Sequence, residues 1–550
     1  MNSAPSPSDC TPRSWLSEIA TGARQVAFGL LVLLVLPGLA QAMASNADPL
    51  AGETGQKARP EFDRYIEKSM KAVGIPGLAI AVVKDDKIIY AKGYGTRNVS
   101  KQELVTPETV FGVGSVTKSF TATSLAMLVD EGKVGWDVPV KEYVPSFETY
   151  DPYVTSLLSS RDLACHRTGI EQANYLQWRP TERADNAFHP TRADIVSAFK
   201  YLRPSEGFRT TFAYKNDTWV VAGAVIEATS GMTWDRFIHE RIFDRLGMKR
   251  SSTSVNETDA LSNVSSAHIW LRGQLTPINL VNADVPGPMG SINSTVLDLA
   301  QYVRFHLGDG TFNNVRLLKI TGLNELHDPQ VVDHGETLTM GTGHTQQVSY
   351  GLGWWVQDYR GRKLVHHAGE IVGGSANVAF LPGEHFGVVV LANGDSVSMV
   401  RALSLRAIDT FLGLASYDWS ARALAVDRDA KAAFGAERTE RTRTRVIGTQ
   451  PSHALSAYTG VYHNGAYGDL RISEDGNKLT ARLWTFTGDL SHWNYDTFSF
   501  EWDERHYYLH VIPERQNLVR FDTGESGVVN RVHFLSLGEF TRVVPAGASN

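Results

Sequence analysis

The stretch FGVGSVTKSF, residues 111–120, places Ser115 three positions before Lys118. A serine hydroxyl becomes an effective nucleophile only when a nearby base removes its proton. A lysine can be that base if burial or a neighbouring cation lowers its pKa. Because three residues on a first helical turn bring two side chains to one face, the spacing predicts Ser115 as a nucleophile and Lys118 as its base.

A second pair with the same spacing, Ser197 and Lys200, makes the spacing alone a weak indication. Ser197 lies within RADIVSAFKYL, where the apolar residues already account for an amphipathic helix. Ser115 instead lies where a glycine-containing extended segment meets helix-forming sequence. Backbone N–H groups are unpaired at such a junction and can bind an oxyanion. We therefore interpret Ser115 as catalytic and Ser197 as structural.

Two later motifs could complete a site around Ser115. Tyr214, with Asn216 two residues on, precedes the apolar segment WVVAGAVIEA and has a phenol that can carry a proton to a leaving group. His367 opens a His-Ala-Gly motif at the end of a predicted strand. Both motif types recur elsewhere in the chain, and a buried tyrosine that only satisfies its hydroxyl is the simpler alternative. The hypothesis of a catalytic site therefore depends on finding the three motifs together in this order.

The elements that position these residues are indicated by changes in periodicity. Residues 76–92 are apolar and β-branched on both sides of Asp85-Asp86, which predicts a hairpin. Apolar residues fall at helical spacing from Ser115 to Gly132. The middle, roughly 150–345, alternates helical segments with polar connections, and residues 350–395 return to strand-like sequence. This order predicts one domain whose sheet is built from both ends of the segment, with helices inserted between.

The C-terminal part has a different composition. Residues 416–454 include the charged and polar stretch AAFGAERTERTRTRVIGTQPS, which predicts a linker. From 455 to 550, short aromatic and β-branched runs alternate with Gly, Asp and Asn. That pattern predicts a small all-β module.

Length, charge and cysteine content limit the possible functions. The 550 residues exceed what one hydrophobic core usually holds, so two or more domains are expected. The 53 basic and 59 acidic residues give a formal net charge of −6, which argues against a general nucleic-acid binder. The two cysteines, Cys10 and Cys165, cannot form a disulfide framework or a metal cluster. We interpret Cys165 as a core residue.

The N-terminal segment is typical of a secretory signal peptide. Basic residues at 13 and 24 precede an apolar run over 26–36, and an Ala-Gln-Ala motif ends at Ala42. The apolar run is too short to span a bilayer comfortably, although the long region before it leaves an uncleaved anchor as the alternative. We predict a signal peptide over 1–42, whose removal releases residues 43–550 as a secreted or periplasmic protein.

The S-x-x-K motif at 115, the Y-x-N motif at 214 and the H-x-G motif at 367 stand in the order found in the serine β-lactamase and penicillin-binding protein superfamily, which the chain resembles. The likeness is to the class C β-lactamase-like branch, which also contains D-aminopeptidases and carboxylesterases. The resemblance covers roughly residues 60–415. It includes segments that flank the motifs, such as SLLSSRDLACHRTGI and YGLGWW. The resemblance implies an α+β fold for residues 55–415, with an antiparallel sheet flanked by helices and an inserted helical region.

The β module over 455–550 resembles barrel-like C-terminal domains that are appended to some D-aminopeptidase-like members. There such domains cover the active site or help to assemble oligomers. A stabilising or cell-wall-binding appendage is the alternative, and the sequence leaves the oligomeric state open.

The resemblance also implies catalytic roles. Ser115 would be acylated, and Lys118 and Tyr214 would share the general-base and general-acid work. The backbone N–H groups of Ser115 and Glu370 would form the oxyanion hole. Neither a metal nor an organic cofactor is implied.

The same resemblance implies that further residues bind the substrate. Asn216 would hold Lys118 and the substrate amide. His367 would face the substrate from an edge strand, next to Gly369 and Glu370.

The chain departs from the β-lactamase pattern at the third motif. Where β-lactamases usually carry Lys-Thr-Gly, this chain has His367-Ala368-Gly369. Histidine, with an ordinary pKa of about 6.5, is mostly neutral at pH 7, so a β-lactam carboxylate would be held less well. We expect weak β-lactamase activity at most.

The sequence is therefore compatible with three functions. The first is an exported serine hydrolase that acts on peptide or amide bonds, including peptides with D-residues. The second is a carboxylesterase on small acyl esters, and the third is a slowly acylating penicillin-binding or cell-wall-binding protein. The expected partners are a small peptide or ester and peptidoglycan fragments, with no nucleic acid and no stable membrane span after signal removal.

Overall fold

The computed structural model describes residues 53–101, 103–173, 191–484, 486–502 and 517–544. The predicted signal peptide lies outside the described residues. Within them, every helix is too short or too polar to cross a membrane.

The first sheet is antiparallel and has nine strands, in the order β10-β11-β12-β13-β14-β15-β1-β2-β3. Three small two-stranded sheets, β4-β7, β5-β6 and β8-β9, lie outside it. The strand bounds are β1 Gly77–Lys84, β2 Lys87–Asn98, β3 Glu103–Leu104, β4 Phe111–Gly112, β5 Ala267–Leu271, β6 Gln274–Ile278, β7 Asn293–Ser294, β8 Thr311–Phe312, β9 Val315–Arg316, β10 Val331–Val332, β11 Val348–Tyr350, β12 Trp355–Tyr359, β13 Arg362–Ile371, β14 Gly374–Leu381 and β15 Phe386–Ala392.

The sheet joins the two ends of the domain, as the sequence predicts. Strand β1 pairs with β15, with Ile80 opposite Val390. The hairpin between β1 and β2 turns at Asp85 and Asp86, which have φ values of 49° and 61°. Two central residues with positive φ are the requirement of the type I′ hairpin turn, whose twist matches that of the strands.

Helices cover both faces of this sheet, so the predicted α+β fold is confirmed. A 3₁₀ turn over Gly114–Val116 leads directly into α2. The helix bounds are α1 Glu53–Val73, α2 Thr117–Asp130, α3 Pro152–Leu157, α4 Ser160–Ala164, α5 Arg192–Ala198, α6 Thr218–Ser230, α7 Trp234–Ile238, α8 Asp244–Leu246, α9 Val255–Asp259, α10 Val296–Leu307, α11 Ile320–His327, α12 Val397–Phe411, α13 Trp419–Arg443 and α14 Leu455–Tyr458.

Two cores lie on opposite faces of the sheet. In β1, Ala79 and Ala81 belong to the core that contains α2 and α6, whereas Ile80 and Val82 belong to the core that contains α1 and α12. Because both faces are covered, the central strands are apolar throughout rather than alternating. Cys165 is buried in the first core, and burial raises the pKa of its thiol to about 12.

The segment predicted as a linker, residues 416–454, is largely helical. Helix α13 spans 25 residues of it. Only Trp419, Ser420 and Ala423 of this helix are buried. The sequence therefore lacks an apolar stripe, but it is rich in Ala and Arg, which have high helix propensity.

The C-terminal module is a closed eight-stranded barrel, which confirms the predicted all-β domain. Side chains alternate along its strands: Leu470 and Ile472 are buried, while Arg471 between them is exposed. The strand bounds are β16 Gly460–Asn464, β17 Gly468–Asp475, β18 Lys478–Leu483, β19 Phe486–Asn494, β20 Thr497–Trp502, β21 Leu518–Thr523, β22 Val529–Phe534 and β23 Glu539–Arg542.

Candidate active site

Ser115 lies on the 3₁₀ turn that opens α2. Gly114, just before it, has φ of 52°, and a side chain there would clash with the backbone of Glu370. Only glycine fits this turn, because the position is left-handed and closely packed. Within 111–120, Ser115 alone is partly exposed and every other residue is buried. The turn therefore presents one hydroxyl to solvent.

Lys118 is the buried partner of Ser115. Its Nζ lies 2.9 Å from Ser115 Oγ and donates to the carbonyl of Met289 at 2.8 Å. The side chain is 0% exposed, and burial holds its pKa well below the ordinary value, against a smaller opposing effect of Asp217. A neutral amine at hydrogen-bond distance from a serine hydroxyl can accept its proton.

Tyr214 stands beside this pair. Lys118 Nζ lies 5.1 Å from the centroid of the Tyr214 ring, and the ring stacks on Trp355 at 5.6 Å. Burial raises the pKa of Tyr214, and a hydrogen bond with Ser115 lowers it by less. The phenol therefore keeps its proton at neutral pH and is suited to donate it.

Asn216 does not hold Lys118, which corrects the implied role. Lys118 bonds to Ser115 and Met289 instead. The Asn216 side chain is partly buried and has no hydrogen bond within the described part of the chain. Its amide is thus free to bind a substrate.

His367 lies inside the sheet, not at its edge, which corrects a second implied feature. Strand β13 is flanked by β12 and β14 because residues 331–359 add three further strands. The ring is fully buried, with Nε2 3.0 Å from the Tyr350 hydroxyl and Nδ1 2.6 Å from the Ala368 carbonyl. Burial and the charge of Lys118 lower the pKa of His367, so the imidazole is neutral.

The predicted oxyanion-hole groups lie side by side. The backbone of β13 runs against the turn over Gly114–Val116, where a side chain at Gly369 would clash with the Val113 carbonyl and would lie 3.1 Å from the Ser115 nitrogen. A side chain at Gly114 would lie 2.8 Å from the Glu370 nitrogen. Glu370 is exposed as a residue, while partial burial of its carboxyl group and the nearby Asp427 raise the pKa of that group.

His166 is a residue of the site that the sequence motifs do not identify. It accepts the Lys215 N–H at Nδ1, 3.0 Å, while its carbonyl accepts the Ala213 N–H at 2.9 Å. Its ring lies over Tyr214 with centroids 4.2 Å apart. The residues on both sides of Tyr214 are therefore held by one buried histidine, whose own φ is 60°. A histidine in an apolar segment gives no distinctive signal in the sequence.

Asp217 is a second unpredicted residue near the base. Its side chain is buried, Oδ2 accepts the Ala173 N–H at 2.8 Å, and Oδ1 has no hydrogen bond within the described residues. Burial raises the pKa of Asp217 to about 7, although Lys118 and Lys215 act in the opposite direction. An incompletely satisfied buried carboxyl thus interacts electrostatically with Lys118.

Comparison with known proteins gives two family matches. Residues 62–410, more than half of the chain, match the family model described as Beta-lactamase. Residues 444–542 match a domain of unknown function, DUF3471. The second match includes all eight strands of the barrel.

Curated relatives cover much of the chain. The Unguisins hydrolase ungD' of Aspergillus campestris is 28% identical over 453 residues, which are 78% of this chain and 80% of that protein. Penicillin-binding protein 4 of Amycolatopsis lactamdurans is 27% identical and aligns with 58% of this chain and 81% of its own length.

Solved structures share the fold. The octameric penicillin-binding protein homologue from Pyrococcus abyssi superposes with a TM-score of 0.56 at 22% identity and covers 88% of this chain and 100% of its own. SurE superposes with a TM-score of 0.53 at 19% identity, over 89% of this chain and 100% of its own.

Proposed function

Because the chain belongs to the β-lactamase family, whose relatives include serine hydrolases and penicillin-binding proteins, we propose that it is an exported serine hydrolase that cleaves peptide amide bonds through an acyl-enzyme. The observation that carries the proposal is the 2.9 Å contact between Ser115 Oγ and the Nζ of the buried Lys118. The proposed substrates are peptides, including peptides that contain D-residues.

Acylation begins with proton transfer from Ser115. Lys118 takes the proton while Oγ bonds to the carbonyl carbon, and the carbonyl electron pair moves onto oxygen. The N–H groups of Ser115 and Glu370 bind this oxyanion, and one such donor is worth about 10²–10³ in rate. As the C–N bond breaks, Tyr214 gives its proton to the leaving nitrogen and takes one back from Lys118.

Deacylation uses the same groups with water as the nucleophile. Lys118 takes a proton from water, whose oxygen bonds to the acyl carbon. The bond from carbon to Ser115 Oγ then breaks, and Oγ regains a proton from Lys118. The enzyme returns to its starting protonation state.

The His367-Ala368-Gly369 motif favours peptides over β-lactams as substrates. The neutral His367 provides no permanent cation for a β-lactam carboxylate, and its ring nitrogens already bond Tyr350 and the Ala368 carbonyl. The His-x-Gly form is that of D-aminopeptidase-like and esterase-like members. One relative is named as a hydrolase of unguisins.

Slow acylation is a second candidate, because another relative is named Penicillin-binding protein 4. In that case the acyl-enzyme would form and persist. An esterase would use the same residues as the peptidase and differ only in its leaving group.

Hydrolysis assays test these functions. A D-alanyl p-nitroanilide, p-nitrophenyl butyrate and a chromogenic cephalosporin are compared for the wild type, Ser115→Ala and Ser197→Ala. We expect turnover of the anilide that is abolished in Ser115→Ala and kept in Ser197→Ala, which changes the exposed serine of the other S-x-x-K pair. Turnover of the ester alone would identify an esterase, and stoichiometric labelling of Ser115 without turnover would identify the slowly acylating protein.

The proposal that the protein is exported is based on the N-terminal segment alone. The proposed signal peptide over 1–42 would be removed after Ala42. N-terminal sequencing of the protein recovered outside the cytoplasm checks this, with Met43 as the expected first residue. A start at Met1 in a membrane fraction would support the uncleaved anchor instead.

A further inference from the structure

A cavity of about 810 Å³ lies where the hydrolase domain meets the barrel. Helix α5 and the turn after it form one wall, and strands β17 and β18 with the turn before β17 form the other. The two walls touch at Gly465, where an added Cβ would lie 2.5 Å from the Tyr201 ring. A cavity of this volume is within the range of small-molecule sites.

Two arginines on the barrel wall lie directly opposite each other. Arg471 on β17 and Arg482 on β18 are cross-strand partners, and both line the cavity. Like charges at directly opposed positions destabilise an antiparallel pair. The residues directly opposite them on the next strands are Val461 and Thr487, so neither of these two positions supplies a carboxylate to offset the repulsion.

The acidic residues at the cavity are already engaged. Asp469 Oδ1 lies 2.8 Å from His463 Nδ1, and Asp194 accepts the N–H and hydroxyl of Thr191. Neither arginine forms an ion pair with a carboxylate of the described ranges. Lys200, on the opposite wall, adds a third cation without such a partner. The cavity thus has an excess of positive charge.

Each wall also carries an aromatic ring. Tyr201 is 47% exposed on the hydrolase side. Trp484 lines the barrel side, with φ of 56° and its indole N–H donating to the Tyr467 carbonyl at 2.9 Å. Left-handed backbone is unfavourable for tryptophan, and such strain tends to occur at functional positions. The Arg482 Nε donates to the Trp484 carbonyl at 2.9 Å, so the ring and the arginine pair form one connected wall.

We propose that this cavity binds a small ligand that joins a carboxylate or phosphate to a flat ring. The anion would bridge Arg471 and Arg482 and relieve their repulsion, because guanidinium groups bind both anions by paired hydrogen bonds. Lys200 would add charge from the other wall. The ring would lie between Tyr201 and Trp484. This site is separate from the Ser115 site and does not depend on the proposed hydrolase activity.

Calorimetric titration of the full mature chain at fixed ionic strength tests the proposal. The probes are phenyl phosphate and phenylacetate, with inorganic phosphate and phenol as the two halves of the first. We expect phenyl phosphate to bind more tightly than either half. In the Arg471→Gln/Arg482→Gln variant its affinity should fall about tenfold or more, as expected when charged hydrogen-bond donors are lost.

The matched control removes two other arginines of the same barrel. Arg520 and Arg531 pair with Asp522 and Glu539 and do not line the cavity. The Arg520→Gln/Arg531→Gln variant should bind phenyl phosphate like the wild type. Equal losses in both double variants, or unchanged binding in the first, would overturn the site. Inorganic phosphate that binds as tightly as phenyl phosphate would overturn the role of the rings.

Thermal unfolding gives a second, independent readout. Without ligand, the Arg471→Gln/Arg482→Gln variant should unfold at the wild-type Tm or above it, because a like-charge pair is removed. Phenyl phosphate should raise the Tm of the wild type, since a ligand that binds only the folded state stabilises it, and should not raise that of the variant. A lower Tm for the unliganded variant would mean that the arginines hold the barrel together, and would overturn their assignment to a ligand.

Discussion

The chain contains two S-x-x-K pairs, one at the start of α2 and one at the end of α5, whose surroundings differ. In the first, Ser115 Oγ lies 2.9 Å from Nζ of Lys118, which is 0% exposed. In the second, Ser197 and Lys200 are both exposed and share no hydrogen bond, and the lysine lies over the Tyr201 ring at 5.0 Å. Identical spacing therefore gives a hydrogen-bonded pair with a buried lysine in one case and two solvated side chains in the other.

Burial of the whole helix accounts for the difference. Twelve of the fourteen residues of α2 are buried, so any side chain on its first turn loses contact with water. Desolvation disfavours the charged form of a lysine and lowers its pKa. Helix α5 buries only Ile195, Val196 and Ala198, and its polar face stays in solvent. The reactivity of a motif thus depends on the depth at which the fold places it.

Replacing the buried base should have the largest effect. Lys118→Met keeps a similar volume but cannot take the Ser115 proton, so we expect kcat to fall by about 10²–10⁴-fold, the usual contribution of a placed proton carrier. The Tm should stay the same or rise, because a buried polar group is replaced by an apolar one. Steady-state kinetics and calorimetry on the same preparation measure both effects.

The combination of the two readouts is what separates a catalytic from a structural lysine. A lower Tm with kcat preserved would mean that Lys118 supports the fold through Ser115 and Met289 and takes no proton. The contrast between the two pairs would then be one of packing only.

A smaller loss is expected when the support of Tyr214 is weakened. His166→Ala removes the acceptor of the Lys215 N–H and the ring that lies over Tyr214. We expect about a tenfold fall in kcat and a lower Tm, since an unsatisfied buried donor costs about 1–3 kcal/mol. Steady-state kinetics and thermal unfolding measure the two effects.

His166→Asn is the matched control for this change. An asparagine has a side-chain oxygen that can accept the same N–H, and it tolerates the left-handed φ of 60° at this position. It should therefore recover most of the activity that His166→Ala loses. If both variants keep wild-type kcat, Tyr214 is positioned without His166.

The periodicity of apolar residues and the order of the motifs predict the arrangement of the sheet and the start of helix α2. The apolar runs around Asp85-Asp86 and over 350–395 predict a sheet built from both ends of the domain, because strand patterns are local and the sheet has to unite them. The change of pattern at Ser115 predicts the start of a helix, and the structure has a 3₁₀ turn there that leads into α2. Lys118 follows from the same junction, since its spacing fixes its face of the helix.

The features that sequence patterns miss depend on contacts between distant segments. His166 reaches Lys215 across 49 positions, and no local spacing indicates that bond. The interior position of β13 depends on where β10 to β12 add to the sheet. Apolar periodicity does not predict helix α13, because this helix is exposed along most of its length. Motif residues are thus easier to predict than the residues that hold them.

The smallest expected effect concerns the charge beside Lys118. The carboxylate of Asp217 favours the ammonium form and so raises the pKa of Lys118. Asp217→Asn removes that charge and keeps an oxygen to accept the Ala173 N–H. We expect the acid limb of the profile of kcat/KM against pH to move to lower pH, because the lysine loses its proton more readily. An acid limb that stays in place would mean that Asp217 does not affect the base.

The same variant has a pH-dependent effect on stability whose sign can be derived. Burial raises the pKa of Asp217 from 3.8 to about 7, so the folded state binds this proton more tightly than the unfolded state. The resulting stabilisation is complete below pH 3.8 and is lost as the pH rises to about 7. The Tm of Asp217→Asn relative to wild type should therefore increase over that interval, whereas the exposed Asp475→Asn should show no such trend. A flat difference for Asp217→Asn would mean that this carboxyl titrates normally and that burial of Lys118 alone creates the contrast with Lys200.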